Sequence, residues 1–362
     1  MPNVVQRRPP FRRRRRFLSR SKSPASSITL TVPTTNHIFQ REGVGAGVGR
    51  ADLTIVGTYT GSPSAIEASW NGGGYVTVVS NPSGGAFTTK LPRQLVNSGT
   101  LAIRFTDDPS TNTSKSGVKV GDVYLLLGQS NGDGRGTNNQ VYTGTSGWAA
   151  KLDVSNAWVP LTDPVGITGS STGSPWPLLG NSVVGSGGVP VGFINCCVGG
   201  TSITTWLPGQ TNYVNAQTRV AAAACKGIRA ALWWQGESDA GMSRSTYLGH
   251  LRTVAAGVRA DFGCKLIPCK LQDSTAISLA DDTELWAAVG SAWEQEDDCE
   301  TGPDFSGRSD DDGSYHFTTD ASMSFAATGW YNALQTPYYT AAAGGGTGTA
   351  ILAGHGIGLV AA

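Results

Sequence analysis

A serine, a histidine and a run of three acids carry the chemistry that this sequence offers. Ser130 stands in Gly128-Gln129-Ser130-Asn131, directly after the apolar residues 123–127. His316 is one of four histidines, and Asp310, Asp311 and Asp312 come just ahead of it. A serine hydroxyl attacks poorly until a base takes its proton, and an imidazole does this best when a carboxylate holds its other nitrogen. Ser130, His316 and one of the acids are therefore the minimum set for acyl transfer from an ester. Alone, the Ser130 stretch is equally satisfied by a serine that caps a helix. A second apolar run, residues 230–234, ends in Gln235-Gly236-Glu237-Ser238-Asp239. Glu237 and Asp239 admit a glycosidase reading as paired carboxylates, but buried acids that hold the nucleophile loop by hydrogen bonds are preferred.

These groups need strands and loops to position them. A continuous apolar run closed by Gly128 suits a strand buried on both faces of a parallel sheet. Ser130 then sits at the carboxyl end of the sheet, where open α/β folds place ligands. A helix starting there would favour an anion beside it. Further strands are expected at 189–197, 228–234 and 265–271, and helices at 176–184, 214–226, 243–262 and 281–297. Alternating strands and helices predict a parallel sheet covered on both faces. The long polar stretch 138–174 walls the cleft, as long loops in compact domains usually serve function. Upstream, short alternating runs at 28–32, 51–56, 65–70, 75–79 and 100–105 are separated by turns such as Asn71-Gly72-Gly73-Gly74. They predict an antiparallel β-sandwich, with 107–117 as a polar linker.

Four blocks now stand in order: GDVYLLLGQSN (121–131), VGGTSITTW (198–206), WWQGESD (233–239) and DGSYHF (312–317). Their order and spacing resemble the sialate O-acetylesterase-like branch of the SGNH hydrolases, also called carbohydrate esterase family six. The resemblance implies a flavodoxin-like three-layer α/β/α SGNH hydrolase domain over 120–340, preceded by an all-β sandwich domain over 27–119. It also implies a metal-free serine esterase that removes O-acetyl groups from a carbohydrate, either sialic acid or a polysaccharide. Ser130 is then the nucleophile and His316 the base. The family's acid commonly stands three residues before the histidine, where this chain has Gly313. Asp312, four ahead, is favoured, with Asp311 and Asp310 as alternatives. The oxyanion donors carried over are the backbone N–H groups of Ser130 and Gly200 and the side-chain amide of Gln235; the wider superfamily uses an Asn for the amide, and Asn131 lies close in sequence. Gly132 replaces the Met that often follows GQSN, a change expected in the acyl pocket and not in the mechanism. A non-catalytic glycan-binding or structural surface or virion protein that keeps the fold is the alternative, and the altered spacing before His316 favours it.

Composition bounds the rest. The 362 residues hold 49 Gly and a formal net charge of +1. Ten of the 27 basic residues and none of the 26 acids fall in residues 1–41, leaving 17 bases against 26 acids and a body at −9. Eight arginines in the first twenty residues mark a basic arm, 1–26, that cannot bury itself. It reads as a docking element for a polyanion or a larger assembly such as a virion, as an Arg- and Ser-rich transit peptide, or as a solvated tail. An extracellular or virion-associated setting is expected. Residues 341–362 form a Gly- and Ala-rich tail with apolar Ile351, Leu352, Ile357 and Leu359, either frayed or packed on a neighbouring subunit of a homo-oligomer. No apolar run reaches the length of a membrane span. The six cysteines fit no disulfide scaffold. Cys196 and Cys197 read as buried thiols, and Cys264 and Cys269 face opposite ways on one strand. The four histidines are isolated, so no metal and no cofactor is read from the spacing.

Overall fold

The computed structural model describes residues 26–340. The basic arm, apart from Ser26, and the tail from 341 lie outside the described residues, as do the docking and subunit contacts read for them. Two sheets enclose the first core. Strands β1 (Ser27–Val32), β3 (Arg50–Thr60) and β6 (Ala86–Leu95) form a three-stranded antiparallel sheet. Opposite it run β4 (Ala65–Trp70), β5 (Val76–Ser80), β7 (Asn97–Phe105) and the first half of β8 (Asn112–Gly128). Alternation decides which side chains meet: Leu53, Ile55 and Tyr59 of β3 point inward and pack with Ile66, Leu101 and Ile103 of the other sheet. Strand β6 was not foreseen because Pro92 interrupts its pattern; it lies at the edge of its sheet, where a missing N–H costs no ladder bond.

Strand β8 joins the two parts of the fold. Its first half pairs antiparallel with β7 and parallel with β2 (Ile38–Gln40). Its second half lies parallel between β11 (Val191–Asn195) and β12 (Ala230–Trp234). The expected linker 107–117 is thus corrected. Asn112 onward is already strand, and its small polar residues occupy a sheet segment whose alternate positions stay exposed until Val118. The sheet continues through β9 (Ala149–Leu152) and β10 (Trp158–Pro160) on one side and β13 (Leu266–Pro268) on the other. Both β9 and β10 fall in the stretch read as a loop. Because β10 runs antiparallel and β8 crosses into the first part, this is a large mixed sheet and not a purely parallel one.

Every residue of β11 and β12 is buried, so both faces are covered. The covering helices include α2 (Trp176–Gly185), α3 (Thr211–Ala223), α4 (Arg244–Phe262) and α5 (Leu279–Gln295), each within a few residues of expectation. Helix α6 (Asp320–Leu334) was not anticipated, although Thr319 and Ser322 cap it reciprocally. Its Trp330 is buried against Trp176 and Trp234, beneath the site.

A buried charge cluster locks β8 to its neighbours. Asp122 accepts from Arg41 through both oxygens at 2.9 Å, from Arg229 at 2.7 Å and from the Tyr339 hydroxyl at 3.0 Å. Burial alone would raise the Asp122 carboxyl, but Arg229 and Arg41 reverse this and hold it below the usual range. Losing that carboxylate would leave two guanidinium groups uncompensated, a cost of about 3–5 kcal/mol. All six cysteines are buried and free.

Candidate active site

Strand β8 ends where only glycine fits. Gly128 has φ +133°, and a Cβ there would lie 2.0 Å from the carbonyl oxygen of Trp234 on β12. The chain then turns sharply into α1 (Ser130–Asp133) and puts Ser130 at the sheet's carboxyl end. This helix is a single turn, so the dipole expected to favour an anion beside Ser130 is not built here.

The loop before α6 brings His316 to Ser130. His316 Nε2 lies 2.9 Å from Ser130 Oγ, and His316 Nδ1 lies 2.7 Å from Asp312 Oδ2. The odd spacing closes as a turn. Asp312 Oδ1 accepts the backbone N–H groups of Ser314, Tyr315 and His316 at 2.9, 3.0 and 3.1 Å, and Gly313 takes φ +70°. Burial opposes ionisation of Asp312, yet these N–H donors outweigh it and hold the carboxyl well below the usual range. The two alternative acids are engaged elsewhere. Asp310 accepts from Thr275 N–H at 2.6 Å and its hydroxyl at 2.8 Å; Asp311 accepts from Thr318 N–H at 2.8 Å, Thr319 N–H at 3.1 Å and the Ser322 hydroxyl at the start of α6.

Asn131 ties the two loops together on both sides of His316. Its Nδ2 donates to Tyr315 O at 2.9 Å and its Oδ1 accepts Phe317 N–H at 3.1 Å. The same Nδ2 donates to Glu237 Oε1 at 2.7 Å, and Gln272 Nε2 reaches Tyr315 O at 2.5 Å. Asn131 is thereby committed and is not an oxyanion donor. Burial pushes the Glu237 carboxyl up, and its Oε2 has no partner.

One expected role does not survive. Gln235 Nε2 donates to Thr201 O at 3.0 Å and to Asp239, while its Oε1 accepts from Tyr247 at 3.0 Å. With both amide hydrogens spent inside the protein, Gln235 has none for a substrate. Asp239 is likewise occupied, by Ser202 Oγ at 2.5 Å and Ile203 N–H at 2.8 Å. It therefore does not pair with Glu237 across a cleft, and the acids hold loops, as preferred from the sequence. Gln129 is the amide that lines the cavity. Its Oε1 accepts from Ser238 N–H at 3.3 Å and Gln235 Nε2 at 3.4 Å, and among the described residues nothing accepts from its own N–H groups.

The cavity around Ser130 and His316 has a volume of ≈ 550 Å³ and is bordered by Gly199, Gly200, Arg135 and Thr168. No described group accepts the backbone N–H of Ser130 or of Gly200. Thr168 and Ser170 come from the polar stretch expected to wall the cleft. Arg135 was missed; its only signal was a lone arginine in Gly134-Arg135-Gly136, five residues after the serine. Gly132 does not line the cavity. A Cβ there would meet Cys197 Sγ at 2.6 Å, so the glycine serves packing and not the acyl pocket. A larger groove of ≈ 900 Å³, bordered by Asp304, Phe305, Phe325 and Asn332, lies elsewhere and holds neither Ser130 nor His316.

A family model described as carbohydrate esterase, sialic acid-specific acetylesterase matches residues 120–329. The chain belongs to that family. By family it is a carbohydrate O-acetylesterase, a hydrolase. Among curated protein sequences none matches this esterase. Solved structures share its fold. A carbohydrate acetylesterase from Xanthomonas citri superposes with a TM-score of 0.56 at 16% identity, covering 85% of this esterase and 75% of that chain. A protein from Arabidopsis thaliana gives 0.50 at 21% identity, covering 60% of this esterase and 99% of that chain.

Proposed function

We propose that this esterase removes O-acetyl groups from a glycan by a Ser-His-Asp mechanism, in an SGNH-type three-layer domain that follows a β-sandwich. The observation that carries the reading is the unbroken hydrogen-bond chain from Ser130 Oγ through His316 to Asp312. As Ser130 Oγ attacks the acetyl carbonyl carbon, its proton passes to His316 Nε2, and Asp312 stabilises the imidazolium through Nδ1. The carbonyl oxygen becomes an oxyanion facing the free N–H groups of Ser130 and Gly200. Gln129 supplies the side-chain amide in the place expected of Gln235. His316 returns the proton to the sugar oxygen, which leaves as the alcohol. Water, deprotonated by the same imidazole, then attacks the acetyl carbon, and His316 returns that proton to Ser130 Oγ as the ester bond breaks and acetate leaves. The spacing that favoured a non-catalytic protein is absorbed by the turn at Gly313, so it no longer argues against catalysis.

The test is direct. Ser130→Ala should abolish hydrolysis of 4-nitrophenyl acetate with the fold intact, and a fluorophosphonate should label Ser130 alone. Full activity in the variant, or labelling at another serine, refutes the assignment.

A further inference from the structure

Apart from the triad and the oxyanion donors, the cavity offers little apolar surface. Among its described lining residues only Val198 and Tyr315 carry a sizeable apolar side chain. Val198 comes directly before Gly199 and Gly200 and so belongs with the oxyanion side. Tyr315 comes directly before His316, the group that protonates the leaving sugar oxygen, and its ring lies 6.1 Å from the imidazole at an angle of 68°. The main chain of Tyr315 is held from two directions. Its N–H donates to Asp312 Oδ1 at 3.0 Å, and its carbonyl accepts from Asn131 at 2.9 Å and Gln272 at 2.5 Å. The side chain is not tied in this way: the residue is 37% exposed, and its hydroxyl has no hydrogen-bond partner among the described residues. Folding the loop over its own ring would break the bonds that set His316, so the open face stays available to whatever enters the cavity.

The chemistry of that face selects its partner. A pyranose carries its hydroxyls around the rim and C–H groups on its faces, so one face can leave water against a flat aromatic ring. An open-chain polyol has no such face. The carbon bearing the ester is one bond from the oxygen that His316 protonates. A sugar ring built on that carbon therefore lies beside the imidazole, within the stacking range of Tyr315, about 4.5–7 Å between centroids. Tyrosine suits this task because it offers a wide, rigid surface set by few torsions, so little is lost in ordering it. The contact asks for no charge on the sugar.

We propose that Tyr315 is the platform on which the sugar ring bearing the ester stacks, so that this esterase selects acetates on a pyranose ring over those on an open-chain polyol. This rests on the esterase mechanism proposed above, and the test separates the two. The readout is kcat/KM for monoacetates of methyl β-D-xylopyranoside divided by that for glycerol monoacetate, which has the hydroxyls without the ring. The ratio should be about ten or more in the wild type, the worth of covering one aromatic face. In Tyr315→Ala it should fall toward one through a raised KM for the sugar ester. In Tyr315→Phe, which keeps the face, it should stay within about twofold of the wild type. Circular dichroism checks the folds, and Tyr315→Leu, which keeps bulk without a flat ring, carries the test if the Ala variant unfolds. A wild-type ratio at or below one overturns the inference. So does an equal loss on both esters in Tyr315→Ala, as a purely structural role would give, and so does a Phe variant as impaired as the Ala one. If the wild type cleaves neither ester, the esterase mechanism fails, and binding still decides the platform. In an NMR titration of Ser130→Ala with methyl β-D-xylopyranoside, adding Tyr315→Ala should weaken binding about tenfold, and equal binding refutes the stacking.

Discussion

Exchanging Asp312 for Asn alters the site in a way that can be followed atom by atom. The loop demands an oxygen at the Oδ1 position, because three backbone N–H groups point there at 2.9 to 3.1 Å. In Asp312→Asn the amide oxygen must take that place, which turns the NH2 toward His316 Nδ1. An amide N–H can only donate, so Nδ1 becomes the acceptor and the imidazole proton moves to Nε2. That proton then faces Ser130 Oγ, at the 2.9 Å where the base should receive. The fold survives while the base is blocked. Serine hydrolases with this tautomer inverted lose roughly 10⁴ in kcat, equivalent to about 5.5 kcal/mol of barrier. The assay is kcat for 4-nitrophenyl acetate, with Tm and near-UV circular dichroism as controls. Asp312→Ala should lose the loop bonds as well and melt lower, and Asp310→Asn should change the rate little. If Asp312→Asn stays within about threefold of wild type, or if Asp311→Asn is the more damaging change, the orienting acid lies elsewhere.

Three further outcomes are expected. The Asp312 carboxyl sits below its ordinary value of about 3.9 in the folded state. Its stabilising contribution is therefore present above that value and lost as pH falls through it toward the folded value. The Tm gap between wild type and Asp312→Asn should accordingly narrow from pH 5 to about pH 3 in a thermal-shift series, and a gap that widens contradicts the sign. Gly132→Ala would push a methyl to 2.6 Å from Cys197 Sγ and should cost about 1–3 kcal/mol in urea unfolding. Cys197→Ala in the same chain should restore most of that, and plain additivity of the two changes would show that they do not touch. Gln129→Ala should lower kcat by about 10²–10³ with KM little changed, as removal of one oxyanion donor does; an unaltered kcat removes Gln129 from the oxyanion site.

What was legible in the sequence follows from what local pattern encodes. Helices with strong periodicity and capping serines, such as α4 behind Ser243 and α5 behind Ser278, came out close to their observed limits. The apolar strands that end beside Ser130 and Gln235 were equally plain. Residues 112–117 were misread because small polar side chains on a sheet with one solvated face look like linker. Strands β9 and β10 are four and three residues long, too short to show a period. At the site, Ser130 and His316 stood out through residue type, but three adjacent acids could be told apart only by which N–H groups face them. Gln235 misled for a related reason. An amide looks available in a sequence, and its partners Thr201 and Asp239 become visible only when β12 is packed against the neighbouring loop.

The run of β8 through both sheets has a mechanical consequence. Its 17 residues carry one irregularity, where the register with β7 shifts beside Gly117 at φ +64°, and Ser130 follows just past the other end. At the crossing the strand is hydrogen-bonded to both β2 and β7, so opening the two halves against each other as a jaw would break those ladders. The substrate must come to a floor already in shape, and whatever moves during turnover is confined to the loops that rim it. Heat should find no seam there either: stripping the first 85 or so described residues would bare a ladder on β8, and the whole should melt as one cooperative unit.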